Sequence, residues 1–352
     1  MHWATSAIKR VKSERIPHRN YERAVADVLA AIHACEPGEV VCLTGPSRVG
    51  KSKCIADVQR LLVGDRSKWP EGQMPFLTVL AGNDAASGAF STRAFMAEAL
   101  TAIEHPIFGQ TTDDRIWSGK PVRQIEGVAE AVLKLAFTNA IKHRGTRYLA
   151  IDEAGHVGYV RGGDAAATAI LDSWKCLAAR TGVVLVLVGA YPLLRVLNLS
   201  PHLLGRAQLI HFPRYNAGVL DDVKAYDRFL KSHSQSIQLK DAASLSEWGE
   251  ELINGSLGCA GLQCRWTRSA LALAQSECGE ALTLEHYRIA MRADSDLQVI
   301  AREILEGEEM MHAGNVGDLK SQAEVRESGR LGARKYRPFE AKPVRHVRGG
   351  RA

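Results

Sequence analysis

The amino-acid sequence predicts an α/β fold in which a five-stranded parallel sheet is followed by an all-helical region. Three observations lead to this fold class. Short apolar, β-branched runs alternate with amphipathic stretches up to about residue 215. A glycine-rich loop follows the first of these runs, and no strand pattern returns after residue 215. Strands that alternate with helices favour parallel pairing, because a parallel connection needs a long crossover.

Five apolar runs are predicted to be the strands of this sheet. The fourth run, VVLVLV, has no polar interruption, which is typical of a strand covered on both faces. The predicted strands span residues 39–44, 76–80, 148–152, 183–188 and 209–212.

Amphipathic spacing and helix-ending residues predict the helices. One helix begins at Tyr21 and ends before Pro37-Gly38. Asp164 is expected to cap a helix whose apolar face contains Ile170 and Trp174. Further helices are predicted at residues 51–62, 94–103, 125–143, 219–232, 241–254, 261–277 and 283–306.

These elements divide the chain into four parts. Residues 1–20 are interpreted as a polar, basic N-terminal arm, and residues 21–215 as the α/β core, with an insertion at about 105–123. Residues 216–306 are predicted to form a separate helical lid. The remaining residues, 307–352, lose the apolar periodicity and are expected to form a flexible basic tail.

The charge of the chain is uneven. The 352 residues carry 45 Lys and Arg against 39 Asp and Glu, a formal net charge of +6. Residues 326–352 alone carry a net charge of +7, so the rest of the chain is near neutral. This distribution excludes a uniformly basic nucleic-acid coat and favours basic ends on a neutral body.

The cysteines and the apolar runs exclude several other classes of protein. Seven scattered cysteines with no C-x-x-C pair argue against structural zinc and a disulfide framework. No apolar run reaches the roughly 18–20 residues that span a bilayer, and the N-terminus lacks a secretory signal. We therefore expect a cytoplasmic protein that is not associated with a membrane.

The glycine-rich loop is the strongest functional signal. It fits the pattern G-x-x-x-x-G-K-S between a predicted strand and a predicted helix, the context that a phosphate-binding P-loop requires. Its backbone N–H groups and the following helix would hold phosphate, Lys51 would reach the β- and γ-phosphates, and Ser52 would bind Mg²⁺. ATP and Mg²⁺ are therefore the expected cofactors. The loop consists of Gly45, Pro46, Ser47, Arg48, Val49, Gly50, Lys51 and Ser52.

Two carboxylates follow the third predicted strand. Asp152 is expected to hold Mg²⁺, and Glu153 to polarise the water that attacks ATP. A strand followed by a solvated acidic turn is the alternative interpretation, but the P-loop favours the catalytic one. A nucleotide kinase, which transfers phosphate to a bound acceptor, would not need Glu153 to activate water.

Together with the helical region that follows the sheet, these motifs resemble the AAA+ ATPases, and most closely the TnsC/TniB transposition regulators. The resemblance covers about residues 15–295. It depends on local features as well as on the nucleotide motifs: Ile16-Pro17-His18 with Tyr21, Asp152-Glu153-Ala154, Leu204-Gly205-Arg206, Ile210-His211-Phe212 with Tyr215, and the stretch 258–271. It implies an AAA+ P-loop core with an all-helical lid.

The resemblance also implies roles for three arginines. Arg206 occupies the place of an arginine finger, which would enter the nucleotide site of a neighbouring subunit. Arg265 and Arg268 are candidates for the lid arginine that contacts nucleotide. A plain surface role is the alternative for each. The sequence departs from the family where the fourth strand runs into Gly189-Ala190-Tyr191, because the family has a polar sensor residue there.

Members of this family assemble with ATP on double-stranded DNA as rings or helical filaments, largely independently of sequence. The resemblance therefore implies a homo-oligomer in the bacterial cytosol that contacts duplex DNA, a transposase subunit and a target-selection factor. Contacts with the DNA backbone need basic side chains, although single ones are more often simply solvated. The candidates are Arg93, Lys120, Arg123, Lys142 and Arg144. The basic tail could be a DNA-binding arm, a docking peptide for a transposase subunit or a solubilising end.

Three functions are compatible with the sequence. The first is a DNA-dependent ATPase that selects target DNA and recruits or activates a transposase. The second is a replication-type helicase loader or initiator, although the sequence shows no appended DNA-reading domain. The third is a nucleotide-gated DNA scaffold in which hydrolysis is incidental.

Overall fold

A computed structural model describes residues 2–13, 16–84, 87–109, 127–235, 237–240, 242–277 and 281–313. The chain divides into two units, Met1–Gly307 and Glu308–Ala352, and every contact discussed below lies within the first. Most of the predicted insertion, including Lys120 and Arg123, and almost all of the predicted tail lie outside the described residues.

The five predicted strands are confirmed, and they form one sheet in the order β2-β3-β4-β1-β5. Every pairing is parallel. The central strand β4 lies between β1 and β3, so the loops that follow these three strands meet at one edge of the sheet. The strands are β1 (Val40–Thr44), β2 (Phe76–Leu80), β3 (Tyr148–Asp152), β4 (Val184–Gly189) and β5 (Ala207–His211).

The described helices follow the predicted order, with several differences at their ends. They are α1 (His2–Ser13), α2 (Arg19–Ala34), α3 (Lys51–Val63), α4 (Thr92–Ala102), α5 (Glu130–His143), α6 (Gly163–Thr181), α7 (Pro192–Leu197), α8 (Pro201–Leu204), α9 (Leu220–Ser234), α10 (Gly249–Gly255), α11 (Ala260–Ser276), α12 (Leu284–Ile289) and α13 (Asp294–Ala313). Short 3-10 turns lie at Arg66–Lys68, Ala154–Tyr159 and Leu245–Trp248.

The sheet is covered on both faces, as its apolar strands predict. Side chains alternate along β1: Val41 and Leu43 pack beneath α2 and α3, whereas Val40 and Cys42 face the opposite core, beneath α4, α5 and α6. This period of two is the geometry of an extended strand. The result is a three-layer α/β core with the loops after β1, β3 and β4 free to form a site.

The interpretation of residues 1–20 as a polar arm is corrected by the structure. Residues 2–13 form α1, which packs against α11 of the helical lid. Ala4, Ala7 and Val11 are buried, and Gln275 Nε2 donates to Thr5 Oγ1 at 3.0 Å. The spacing of the three apolar residues gives one narrow stripe on the helix, and the surrounding basic residues conceal it in the sequence.

The lid differs from its prediction in two places. The predicted helix 241–254 is a 3-10 turn followed by α10, and the predicted helix 283–306 is divided into α12 and α13. Thr283 and His286 form a capping box that begins α12. None of the described helices is long and apolar enough to cross a membrane.

The ends of two core helices also differ from their predictions. Helix α6 begins one residue before Asp164 and has Gly162 at its N-cap, so Asp164 lies in the first turn. Between β4 and β5 the chain forms α7 and α8, which the sequence analysis did not predict; each begins with a proline, Pro192 and Pro201.

Candidate nucleotide-binding site

A cavity of about 460 Å³ lies at the carboxyl ends of β1 and β3. Its volume falls within the roughly 300–1,000 Å³ that is usual for ligand sites. The P-loop, Asp152 and Glu153 line one part of it, and residues of the N-terminus and the lid line the rest. The structure therefore brings the two predicted nucleotide motifs together, although 100 residues separate Ser52 from Asp152 in the chain.

Two glycines shape the P-loop. A Cβ atom on Gly45 would lie 2.2 Å from the carbonyl oxygen of Phe212, so only glycine lets β5 end beside the loop. Gly50 has φ of 122° and forms the N-cap of α3, a conformation that other residues rarely adopt. The N-terminus of α3 is directed at the cavity, where its free N–H groups favour an anion.

Lys51 is buried and turned back onto its own loop. Its Nζ donates to the carbonyl oxygens of Gly45 at 3.0 Å and Pro46 at 2.7 Å. Burial lowers the pKa of Lys51 to about 8, and the carboxylates of Glu153 and Asp152 oppose this shift. An ammonium group has three N–H donors, so one donor remains for a ligand such as a phosphate.

Ser52 and Asp152 form the pair expected for a Mg²⁺ site. Ser52 Oγ donates to Asp152 Oδ2 at 2.6 Å, so the P-loop is joined directly to the end of β3. Both side chains offer hard oxygen ligands, and Mg²⁺ is usually held by one or two carboxylates together with phosphate and water. This donor set therefore fits Mg²⁺ once a nucleotide supplies phosphate oxygens.

Glu153 has an unusual backbone conformation. Its φ of 54° places a residue that is not glycine in the left-handed region, and its N–H donates to Asp152 Oδ1 at 2.9 Å. Residues held in this way typically cost about 1–3 kcal/mol and concentrate at functional sites. The exposed side chain lines the cavity, as a water-activating carboxylate requires.

The N-terminal side of the cavity is aromatic and apolar. His18 and Tyr21 line it together with Phe229 of the lid. The Nδ1 atom of His18 accepts from the N–H of Tyr21 and lies 2.9 Å from the hydroxyl of Tyr215. Burial and the neighbouring Arg19 lower the pKa of His18 to about 4, so the ring is neutral at pH 7. Such a surface suits a flat aromatic ligand.

The lid closes the cavity from the start of α11. Gly261 lies against the P-loop so closely that a Cβ there would be 2.0 Å from the carbonyl oxygen of Arg48. The two candidate lid arginines separate: Arg268 lines the cavity, whereas Arg265 lines a different, smaller cavity beside Trp266.

Several residues of the cavity were not among the predicted site residues, and three of them play no part in the resemblance either. Val11 and Phe229 line it from α1 and α9, and Lys53 lines it beside the P-loop. The apolar stripe of α1 is the signal that could have indicated Val11. Nothing local distinguishes Phe229 from any other apolar residue of an amphipathic helix.

The remaining candidates lie outside the cavity. Arg206 is exposed between α8 and β5 and does not line it. Its role as an arginine finger would need a second subunit and stays a prediction.

The described DNA-binding candidates lie at opposite ends of a helix pair. Helices α4 and α5 run side by side: Thr92 donates to Glu130 at their N-terminal ends, and Arg144 donates to the Glu104 carbonyl at the other end. Arg93 is therefore separated from Arg144 by roughly 20 Å, the length of α5. Arg144 also donates to the carbonyl of Gly72 at 3.2 Å, so part of its guanidinium serves packing. Lys142 is exposed near the same end.

Comparisons with known proteins show which family and which solved structures the chain resembles. Residues 35–197 match the family model of an AAA domain. Among solved structures, Cdc6p from Pyrobaculum aerophilum has 16% identity and a TM-score of 0.51, with 79% of this chain and 67% of that chain covered. The Walker-type ATPase paby2304 of Pyrococcus abyssi has 14% identity and a TM-score of 0.47, with 89% and 77% covered.

A third solved structure, the Aeropyrum pernix ORC2 protein in its ADPNP-ADP complexes, has 15% identity and a TM-score of 0.48, with 81% and 71% covered. No curated protein matches the chain. The likeness to Cdc6p concerns the fold, and the family match covers the P-loop and the two carboxylates after β3. The chain therefore has the AAA+ P-loop fold, and its similarity to the AAA-domain family lies in residues 35–197.

Proposed function

We propose that this protein is a DNA-binding AAA+ ATPase that assembles with ATP on target DNA and recruits or activates a transposase. The observation that carries the nucleotide part of the proposal is the cavity itself. One cavity is lined by residues of the P-loop, the Ser52–Asp152 pair, Glu153 and Arg268.

The geometry supports a division of labour in the hydrolysis of ATP. Lys51 would exchange its bonds to the Gly45 and Pro46 carbonyls for bonds to β- and γ-phosphate oxygens. Mg²⁺, held through Ser52 and Asp152, would neutralise part of the charge that develops on the phosphates. Glu153 would accept the proton of the attacking water, and its exposure to the cavity leaves room for that water.

The aromatic side of the cavity supports a nucleoside as the other half of the ligand. Tyr21 and Phe229 offer apolar ring surface, and the neutral ring of His18 adds no charge. Nδ1 of His18 accepts a backbone N–H, so Nε2 carries the proton and remains a donor for a ring nitrogen.

Residues that carry the resemblance to the transposition regulators meet at this same site. His18 contacts Tyr215 through its ring nitrogen. Tyr215 in turn donates its N–H to the carbonyl of Gly258 at 2.9 Å, where the lid begins. A Cβ on Gly258 would lie 1.8 Å from the Tyr215 carbonyl oxygen, so this joint requires glycine. His18, Tyr215 and Gly258 belong to three separate stretches that carry the resemblance, and they contact one another in sequence. Their contact supports the proposed family.

A scaffold with incidental hydrolysis is the second candidate, and one observation favours it. The residue that lines the cavity after β4 is Ala190, where a polar sensor would orient water. The adjacent Tyr191 is buried, and its hydroxyl lies 2.8 Å from His211 Nε2, so it is engaged elsewhere.

The Lys51→Ala variant tests the central proposal. We expect loss of ATP binding and of ATP-dependent assembly on duplex DNA, measured by nucleotide fluorescence and by electron microscopy with an ATP analogue. Lys224→Ala, which changes an exposed lysine of α9, is the matched control and should assemble normally. Assembly of Lys51→Ala at the wild-type level would contradict the proposal.

Glu153→Gln separates the two candidate functions. This variant should bind ATP and assemble but fail to disassemble, if hydrolysis is part of the mechanism. A strand-transfer assay with the cognate transposase and target DNA then tests the transposition role. If Glu153→Gln disassembles and directs targets as the wild type does, the scaffold is correct. Failure to stimulate any transposase, with normal helicase loading, would favour the replication-type initiator.

A further inference from the structure

Helix α13 connects the lid to the corner of the core that follows β4. On the lid side, Ile304 is buried against Cys259 and Leu262, at the start of α11. On the core side, Gly307 lies on the ring of Tyr191, where a Cβ atom would be 2.0 Å from Cγ of that ring. The helix is thus fixed at two points on either side of the nucleotide cavity.

An ion pair strengthens the second attachment. Arg195 of α7 donates to Glu306 Oε2 at 2.7 Å. Both side chains are about half exposed, so the pair contributes little free energy by itself. The pair instead fixes the orientation of α13, because Glu306 directly precedes Gly307, which makes the close contact with Tyr191.

Glu303 lies between these attachments, one helical turn before Gly307 and on the same face of α13. Ala190, next to Tyr191, and Ala260, next to Cys259, both line the nucleotide cavity, so the two attachments border it. The Oε1 atom of Glu303 is buried and has no hydrogen-bond partner among the described residues. Burial raises the pKa of Glu303, Lys51 lowers it and Glu153 raises it. Glu303 therefore shares the electrostatic environment of the lysine that would hold phosphate and the carboxylate that would activate water.

We propose that α13 is an autoinhibitory strap: Glu303 directs negative charge at Lys51 and thereby opposes the binding of nucleoside triphosphate. The proposal rests on the proposed nucleotide site. The phosphates of ATP carry the same sign of charge as Glu303 and compete for the same ammonium group, so ATP binding and docking of α13 oppose each other. An unpaired buried carboxylate oxygen is costly, which makes the docked state easy to displace.

The coupling between ATP binding and α13 docking can be observed at residues that follow β4. Release of α13 would end the contact of Tyr191 with Gly307 and the ion pair of Arg195 with Glu306. The strap therefore couples the occupancy of the phosphate site to the position of the C-terminal helix. Ligands that bind one state and not the other shift the equilibrium by their difference in affinity.

Two variants of the full chain test the strap. Glu303→Gln removes the charge, and Gly307→Ala places a methyl group against Tyr191. We expect both to bind a fluorescent ATP analogue about tenfold more tightly than the wild type, equivalent to about 1.4 kcal/mol. Glu309→Gln, which changes an exposed carboxylate on the same helix, should leave the affinity unchanged. Thermal unfolding checks that each variant is folded.

The outcomes distinguish a failure of the strap proposal from a failure of the proposed nucleotide site. If the wild type, Glu303→Gln and Gly307→Ala all bind the ATP analogue with equal affinity, the strap is wrong and the proposed function remains intact. Absence of binding in the wild type and in both variants would overturn both. Tighter binding in both variants, together with faster hydrogen exchange in α13 when the ATP analogue is added to the wild type, would support the strap.

Discussion

Lowering the pH from 7 to 5 should destabilise the lid through one buried histidine, His233. Its ring stacks on Phe229 with centroids 5.7 Å apart, and its Nε2 lies 3.0 Å from Thr267 Oγ1. Thr267 Oγ1 also lies 3.0 Å from the Gln263 carbonyl oxygen and 2.8 Å from the Tyr287 hydroxyl. Nδ1 of His233 is buried without a partner among the described residues.

Protonation of both ring nitrogens would place a charge in a buried site where Nδ1 has no acceptor among the described residues. Burial accordingly lowers the pKa of His233 from 6.5 to about 4. The unfolded chain takes up this proton near pH 6.5 and the folded chain only near pH 4. The contribution of neutral His233 to the free energy of unfolding is therefore complete above pH 6.5 and decreases as the pH falls below it. Between pH 6.5 and pH 5 the loss amounts to roughly 2 kcal/mol, because each pH unit costs about 1.4 kcal/mol per proton.

Urea unfolding at pH 7 and pH 5, followed by tryptophan fluorescence, measures this loss. Carboxylates and the similarly shifted His18 also contribute to the pH dependence, so the comparison is between the wild type and His233→Gln. The wild type should lose about 2 kcal/mol more than the variant between the two pH values. His143→Gln, at an exposed position, is the control. Equal losses in the wild type and His233→Gln would refute the reasoning.

Two further predictions concern the nucleotide site. Gly45→Ala should lower both the melting temperature and the ATP affinity, because its methyl group would meet the Phe212 carbonyl at 2.2 Å; Gly82→Ala, with its nearest neighbour at 4.0 Å, is the control. Arg268→Ala should weaken ATP binding by about 5-fold to 100-fold, the usual range for one charge-assisted bond, as isothermal titration calorimetry would show. Arg265→Ala should leave it unchanged, and equal effects would contradict the separation of the two arginines.

The sequence predicted those parts of the protein whose signals are local. Five strands alternate with helices, and the P-loop motif lies between a strand and a helix, β1 and α3, as phosphate binding requires. The meeting of Ser52 with Asp152 was also predictable, because parallel strands bring their carboxyl ends to one edge of the sheet.

The parts that could not be predicted depend on contacts between distant segments. The stripe of α1 contains two alanines and one valine, so its apolar character is weak until α11 is placed against it. Glu303 is one of many charged residues on a helix, and only the packing of Gly307 on Tyr191 directs that helix at the nucleotide site. The same holds for Arg268 and Arg265, which differ by three positions in sequence but line different cavities.

The packing of α1 against the lid has a consequence for how the chain is made. Thr5 and Gln275 are 270 residues apart, and at about 5–20 residues per second the ribosome needs roughly 15–50 seconds to cover that distance. For most of this interval Ala7 and Val11 lack the surface that buries them. The lid can complete its core only after nearly the whole chain has been synthesised, so its assembly is the last step and the one most exposed to a competing partner.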